Sequence, residues 1–406
     1  MRPRITRCAF PALLAFGLAA CAQGNPAGPT GSSPLEPSQA RSVPPVLPRS
    51  EPASALDRLR DFWENGPRYY GQAVRGHLSI WWRAQPVVTL IEAQDTDPKL
   101  RQRLLRAQEI RRFASAALAL PDNGSYTRYV ELGRPHVVWN VKATGEFSLQ
   151  PRVWCFPFAG CVAYRGFYDR ADAEAFAAGL RAAGDDVQVS GVPAYSTLGW
   201  MADPLLSSFI HYPAPDLAGL IFHELAHQRV YLKGDTRFNE SFATAVEIIG
   251  VERWLAAQAD QAGGAAALAD WRARRERREQ FIDLLARARA RLETLYGSGL
   301  DPDAMRSNKA REIAALRADW QGLRGRWGQG HGYDRWFEQP IGNAHLVSVA
   351  LYTDLVPAFL SLAAAHGDSL AAFYREVELL AALPEPQRSA RLEQLMHKTI
   401  RPQADR

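Results

Sequence analysis

An α+β fold, with a small mixed sheet set in a large, mainly helical chain, is what the 406-residue sequence predicts. Three observations predict it. Apolar residues recur at three- and four-residue intervals over residues 53–120 and over most of the chain after residue 214, the period of amphipathic helices. Between these stretches, residues 127–200 hold short runs rich in β-branched and aromatic residues, which read as strands. Inside the second helical stretch stands His223-Glu224-Leu225-Ala226-His227, where a spacing of four puts both imidazoles on one helix face.

The chain opens with Arg2, Arg4 and Arg7 before an apolar run from Ala9 to Leu18, too short to span a bilayer and typical of a secretory signal. The run ends in Leu18-Ala19-Ala20-Cys21. Small residues directly before a cysteine resemble the lipobox of bacterial lipoproteins, which implies cleavage after residue 20 and a lipid on Cys21; a simple signal peptide cut elsewhere is the alternative. Ala22 in place of an aspartate implies an outer-membrane location facing the periplasm. Taking the three arginines of residues 1–20 from the formal +5 leaves +2, so net charge implies no nucleic-acid partner. Residues 22–52 hold eight prolines among small polar residues, a tether with nothing to bury. Residues 53–406 then read as one domain. Its only cysteines, Cys155 and Cys161, read as a local disulfide in an oxidising compartment, with two buried thiols as the alternative.

The first helical stretch carries Leu56, Leu59, Phe62 and Trp63, then Leu78, Ile80 and Trp81, then Leu100, Leu104 and Ile110, with Pro86 and Asp95-Thr96-Asp97-Pro98 as breaks. Trp81-Trp82 read as packed core. Strand-like runs follow at Val137–Val141, Arg152–Trp154, Val162–Tyr164 and Val187–Val189, interrupted by a helix from Arg170 to Ala183 that stops at Gly184.

Leu217, Leu220, Ile221, Leu225 and Val230 place His223 and His227 within a helix, which Lys233-Gly234-Asp235 ends. Two imidazoles one turn apart suit a tetrahedral metal ion, and Glu224 between them suits a base that takes a proton from water and passes it to a leaving amine. Asp235 reads as the N-cap of a second helix, on which Glu240, Thr244 and Glu247 share a face. Glu240 can complete the ligand set.

His-Glu-x-x-His followed by Asn239-Glu240-Ser241-Phe242-Ala243 resembles the gluzincin metallopeptidases, the thermolysin-like group. The resemblance implies a zincin-like, thermolysin-type core, one Zn2+ on His223, His227 and Glu240, and Glu224 as general base. Outside that core, Thr96–Arg101, Leu120–Tyr126, Trp154–Cys161, Tyr164-Arg165-Gly166 and Gly191–Trp200 resemble a bacterial family of zinc aminopeptidase lipoproteins over roughly residues 60–400. An edge strand before the metal helix pairs with extended substrate in gluzincins, which implies Tyr195, Ser196 and Thr197 as substrate-binding residues, an ordinary edge strand being the alternative. Thr244 occupies the place where the thermolysin-like group carries a carboxylate that orients a ligand histidine. Asn239 or Glu247 would take over that support. The strand motif that holds a substrate's free amine in aminopeptidases is absent, so aminopeptidase specificity comes with the family resemblance alone.

After the metal helices, Trp254–Gln261, Ala265–Tyr296, Asp303–Gly325 and Gly342–Ala365 read as helices. Arg272–Arg278 reads as a solvated basic face rather than a polyanion site. His345 and Tyr352, seven apart on the last of these helices, are candidates to donate to the oxyanion of peptide hydrolysis; His211 and His331 are further possibilities. The expected function is zinc-dependent hydrolysis of peptides by a lipid-anchored enzyme. An endopeptidase and a non-catalytic lipoprotein with structural zinc are the alternatives, and oligomeric state is left open.

Overall fold

The computed structural model of the chain describes residues 55–156, 160–328 and 332–400. The signal-like segment, Cys21, the tether and His331 lie outside the described residues. The chain enters through α1 (Ala55–Arg83), the two-residue strand β1 (Gln85–Pro86), α2 (Val87–Glu92) and α3 (Pro98–Leu118). Asp97, in the second of the expected breaks, starts α3: its carboxylate accepts from the N–H groups of Lys99 and Leu100, both at 2.9 Å, with Pro98 at the first helical position. The core reading of Trp81-Trp82 is overturned. The buried face of α1 runs through Tyr69, Tyr70, Ala73, His77 and Ile80, and the next two positions turn away from it, leaving Trp81 45% and Trp82 74% exposed.

Strands β2 (Arg128–Val130), β3 (Val138–Thr144), β4 (Trp154–Phe156), β5 (Gly160–Val162) and β6 (Arg165–Phe167) precede α4 (Arg170–Ala182), β7 (Asp186–Val192) and β8 (Leu205–Leu206). In place of one mixed sheet they make three small ones. The central sheet, ordered β6-β3-β7, is antiparallel throughout, whereas β1-β2-β8 pairs in both senses. Among the described residues β4 and β5 pair only with each other, with Cys155 opposite Cys161 and the two joined by a disulfide. The central sheet has α4 on one face, where Arg165 lies over the Phe176 ring, and a later helix on the other.

The remainder is helical: α5 (Ala214–Arg229), α6 (Thr236–Ala256), α7 (Gly264–Tyr296), α8 (Pro302–Trp327), α9 (Asp334–Glu338), α10 (Asn343–Thr353), α11 (Val356–Ala365), α12 (Leu370–Ala382) and α13 (Glu385–Ile400). The expected helix over 254–261 is not separate, because nothing interrupts α6 before Ala256. The expected helix over 342–365 is broken between Thr353 and Val356. Pro357 cannot donate to the carbonyl of Thr353, and the break is held by Arg289 donating to both oxygens of Asp354 (3.0 and 3.2 Å) and by Leu355 N–H donating to Ser241 Oγ (3.2 Å). The stretch Asn343–Ala365 is apolar and long enough to cross a membrane, yet most of it is buried within the protein, as a core element is. α10 is the helix that covers the second face of the central sheet. Asp186 of β7 seats its start by accepting from the N–H groups of Asn343 and Ala344 (2.9 and 3.2 Å), an anion at the positive end of the helix.

Candidate metal centre

α5 is buried at every position from Leu217 to His227. Such a helix, apolar on all sides, belongs in the centre of a protein, and the polar residues it carries there need a partner. α6 packs along it. Its N-cap is Asp235, which accepts from Phe238 N–H at 3.0 Å. Asn239 sets the turn between them: its side chain accepts from Leu232 N–H and donates to Leu232 C=O, each at 2.7 Å. This differs from the expected support of a ligand histidine, since both ends of the amide are spent on the turn.

Three side chains meet between the helices. Nε2 of His223 is 3.3 Å and Nε2 of His227 is 3.6 Å from Oε2 of Glu240, and one donor atom from each of the three lies within 4.8 Å of the others. Ligands about 2.0–2.1 Å from a common ion in tetrahedral array stand about 3.3 Å apart, so the spacing fits a metal ion. A second observation agrees: among the described residues neither buried ring nitrogen of His227 has a hydrogen-bond partner. On the far side of His223, Nδ1 lies 3.2 Å from Oε2 of Glu247, and Arg278 of α7 lies 3.7 Å from the other oxygen of Glu247. Of Asn239 and Glu247, Glu247 is the one in contact with a histidine of the trio.

Charge and burial act in opposition here. Burial pushes the Glu240 carboxyl up, but His227 and His223 outweigh it and hold it at about 2. Glu247 is likewise held below its ordinary value, burial being outweighed by His223 and Arg278. Glu224 is pushed well above the carboxylate range by burial, with Glu240, Asp203 and Glu247 adding to the rise and His223 opposing it. His227 is pushed down by burial. Glu240 stays charged while its neighbour Glu224 holds protons more tightly, the division that acid–base work requires.

The predicted substrate strand does not form. Pro193 ends the ladder of β7, having no N–H to give, and Leu198 and Gly199 take left-handed backbone (φ 56 and 79). Residues 194–198 instead form a buried loop around Asp203, whose carboxylate accepts from Thr197 N–H (3.0 Å), Ser196 Oγ (3.3 Å) and Gln228 Nε2 (3.0 Å). Tyr195 OH is 2.8 Å from His77 Nδ1. Gln228 directly follows His227, so the loop is fastened to the metal helix, with Trp200 standing 71% exposed beside its turn.

His345 is not brought to the cluster. It sits at the start of α10 beside Trp336, its Nδ1 3.4 Å from Gly342 N–H, and burial lowers its pKa to about 4. Tyr352 packs under Lys142, and His211 is exposed. The basic stretch of α7 is taken up by acids, Arg272 on Glu252, Arg274 on Asp216 and Arg278 on Glu247.

Sequence reasoning missed four groups. Tyr164, just before β6, is buried, and its phenol is pushed up by burial and then by the charges of Glu240, Tyr231 and Glu224. Tyr231 is raised by burial and by Glu240. Lys142 of β3 is pushed down to about 8 by burial, with Glu240 opposing. Asp203 is raised to about 7 by burial. Only Tyr231 had a signal, its place four residues after His227.

A buried trio of two imidazoles and a carboxylate, with a further carboxyl on the same helix, defines a candidate metal centre in a mainly helical protein. Residues 68–392 match the family described as "Putative aminopeptidase", and with so much of the sequence matched the chain belongs to that family. No curated protein and no solved structure matches the chain.

Proposed function

We propose that this chain is a zinc-dependent peptidase of zincin-like, thermolysin-type architecture that removes the N-terminal residue of peptides, with His223, His227 and Glu240 holding the metal and Glu224 as general base. The observation that carries the reading is the convergence of those three side chains with Glu224 one residue from His223. Three protein ligands, where a structural site has four, favour the enzyme over a structural zinc site. A bound zinc ion supplies Lewis acidity, polarising the scissile carbonyl and easing the deprotonation of water. The chain's own residues do the rest. Glu224, with its raised proton affinity, accepts the proton from water and delivers it to the departing amine. Glu247 keeps the His223 ring oriented through Nδ1. Tyr164 and Tyr231, whose phenols keep their protons and feel the charge of Glu240, would donate to the oxygen that becomes negative in the transition state. The same reading puts the enzyme on a lipid at Cys21 in the outer membrane, facing the periplasm, which Leu18-Ala19-Ala20-Cys21 supports.

The test is Glu224→Gln, which keeps size and removes the proton acceptor. Peptidase activity should fall by about a hundredfold to ten-thousandfold while zinc content and melting temperature stay at parent values. Undiminished activity in a zinc-replete variant would end the mechanism.

A further inference from the structure

Lys142 and Asn140 stand two residues apart on β3 and so share one face of the central sheet, the face turned to α10. Lys142 is buried. Its Nζ donates to Ser348 Oγ at 2.6 Å and lies 5.4 Å from the centre of the Tyr352 ring, and among the described residues no carboxylate lies within ion-pair distance of it. Asn140 is fully buried, and among the described residues neither its Oδ1 nor its Nδ2 has a partner. A buried carboxamide without a partner carries a desolvation cost that nothing among the described residues offsets, and the buried ammonium, held by Ser348 Oγ and the Tyr352 ring, has no carboxylate at ion-pair distance to complete the compensation. The residues across the two ladders from Asn140 are Gly166 and Ser190, both small. Glu240 acts electrostatically on Lys142, and α10, which carries Ser348 and Tyr352, packs on both β3 and α6, the helix of Glu240.

We propose that Lys142 and Asn140 form a carboxylate subsite, and that the substrates are short peptides whose free C-terminal carboxylate is held there. The identity of the rest of the substrate rests on the peptidase reading above. The donors and acceptors match a terminal residue. An ammonium has three protons, one of which goes to Ser348, leaving two for the carboxylate; Nδ2 of Asn140 adds a third donor, and its Oδ1 accepts the N–H of the same terminal residue. An acidic side chain offers the same carboxylate, so the test separates the two sources.

The experiment measures binding by calorimetry to the full chain loaded with zinc and carrying Glu224→Gln, so that turnover does not intervene. Trialanine should bind at least about tenfold more tightly than its C-terminal amide, the gain of a charge-assisted hydrogen bond. Adding Lys142→Met should erase that preference, Lys142→Arg should retain part of it, and Asn140→Asp, which brings its own carboxylate, should abolish it. Lys142→Met removes a buried charge and should melt no lower than its parent, which keeps the comparison between folded proteins. Equal binding of trialanine and its amide, or a preference that survives Lys142→Met, overturns the proposal. So does Ala-Asp-Ala amide binding as tightly as trialanine, which would give the subsite to an acidic side chain. A protein that prefers trialanine through Lys142 but cleaves no peptide fails the peptidase reading alone, and one that cleaves peptides without regard to a carboxylate fails this proposal alone.

Discussion

Oε2 of Glu247 lies 3.2 Å from Nδ1 of His223, while Nε2 of the same ring faces Glu240. The carboxylate can only accept, so Nδ1 carries the proton and Nε2 presents its lone pair to the cluster. Glu247→Ala should therefore weaken zinc binding about 10- to 100-fold, read by competition with a chelator of known affinity. Asn239→Ala is the control. It frees Leu232 N–H and C=O and should lower stability by about 1–3 kcal/mol with little effect on metal affinity. Equal zinc affinity in Glu247→Ala and the parent would leave the contact without a role.

Metal removal should be felt by the whole fold, because α5 is central and His227 has no other partner for its nitrogens among the described residues. Chelation should lower the melting temperature, and added zinc should restore it. Purified protein should hold about one zinc per chain and Glu240→Ala should lose it. Retention by Glu240→Ala together with loss in Glu247→Ala would exchange the roles of the two glutamates.

Which parts of this site could be read from the sequence follows from where its parts lie along the chain. His223, Glu224, His227, the Asp235 cap and Glu240 belong to consecutive helices, where spacing alone sets geometry. The Cys155–Cys161 pair was legible for the same reason, being local. Lys142, Tyr164 and Asp203 come from a strand, a strand junction and a loop, and no periodicity announces that these will fold against α5 and α6. The misreading of Trp81-Trp82 has a different origin. α1 is amphipathic, and the register of its buried stripe, not its composition, decides which tryptophan is covered. The edge strand failed at one residue, Pro193, whose missing N–H outweighed the strand propensity that followed it.

Asp203 makes the loop over α5 sensitive to pH. Its carboxyl moves from an ordinary 3.8 to about 7 because burial disfavours the charge. An acid raised in this way binds protons more readily folded than unfolded between pH about 4 and 7. Stability from this group is therefore present at the low end of that window and is lost as pH rises through it, by on the order of 4 kcal/mol at most. Denaturant unfolding across the window should show the parent losing stability relative to Asp203→Asn as pH rises. Parallel pH profiles would mean the carboxyl titrates normally.

The disulfide joins cysteines only 6 positions apart, so it removes little chain entropy. Reduction should cost toward the low end of the usual range of about 2–4 kcal/mol, and Cys155→Ser with Cys161→Ser should melt slightly lower while binding zinc as the parent does. In the unreduced protein neither thiol should react with an alkylating agent; labelling of both would show that the bridge does not form in the protein as isolated.

Whether the chain acts at a free amino terminus turns on which carboxylate can receive an ammonium. Burying that ammonium unpaired costs several kcal/mol, so an aminopeptidase must offer it an acid. Around the cluster, Glu240 is committed to the two histidines, Glu247 to His223 and Arg278, and Asp203 to Ser196, Thr197 and Gln228. Each would have to give up a partner to serve. If one of them does, acetylating the amino terminus of a short peptide removes the charge that the acid would pair and leaves the acid buried and unsatisfied. The acetylated peptide should then be cleaved with a kcat/KM at least about a hundredfold lower than the free one. The comparison needs only two peptides differing in that group, followed by chromatography of the products. Equal rates, with cleavage inside the acetylated chain, would make this protein an endopeptidase.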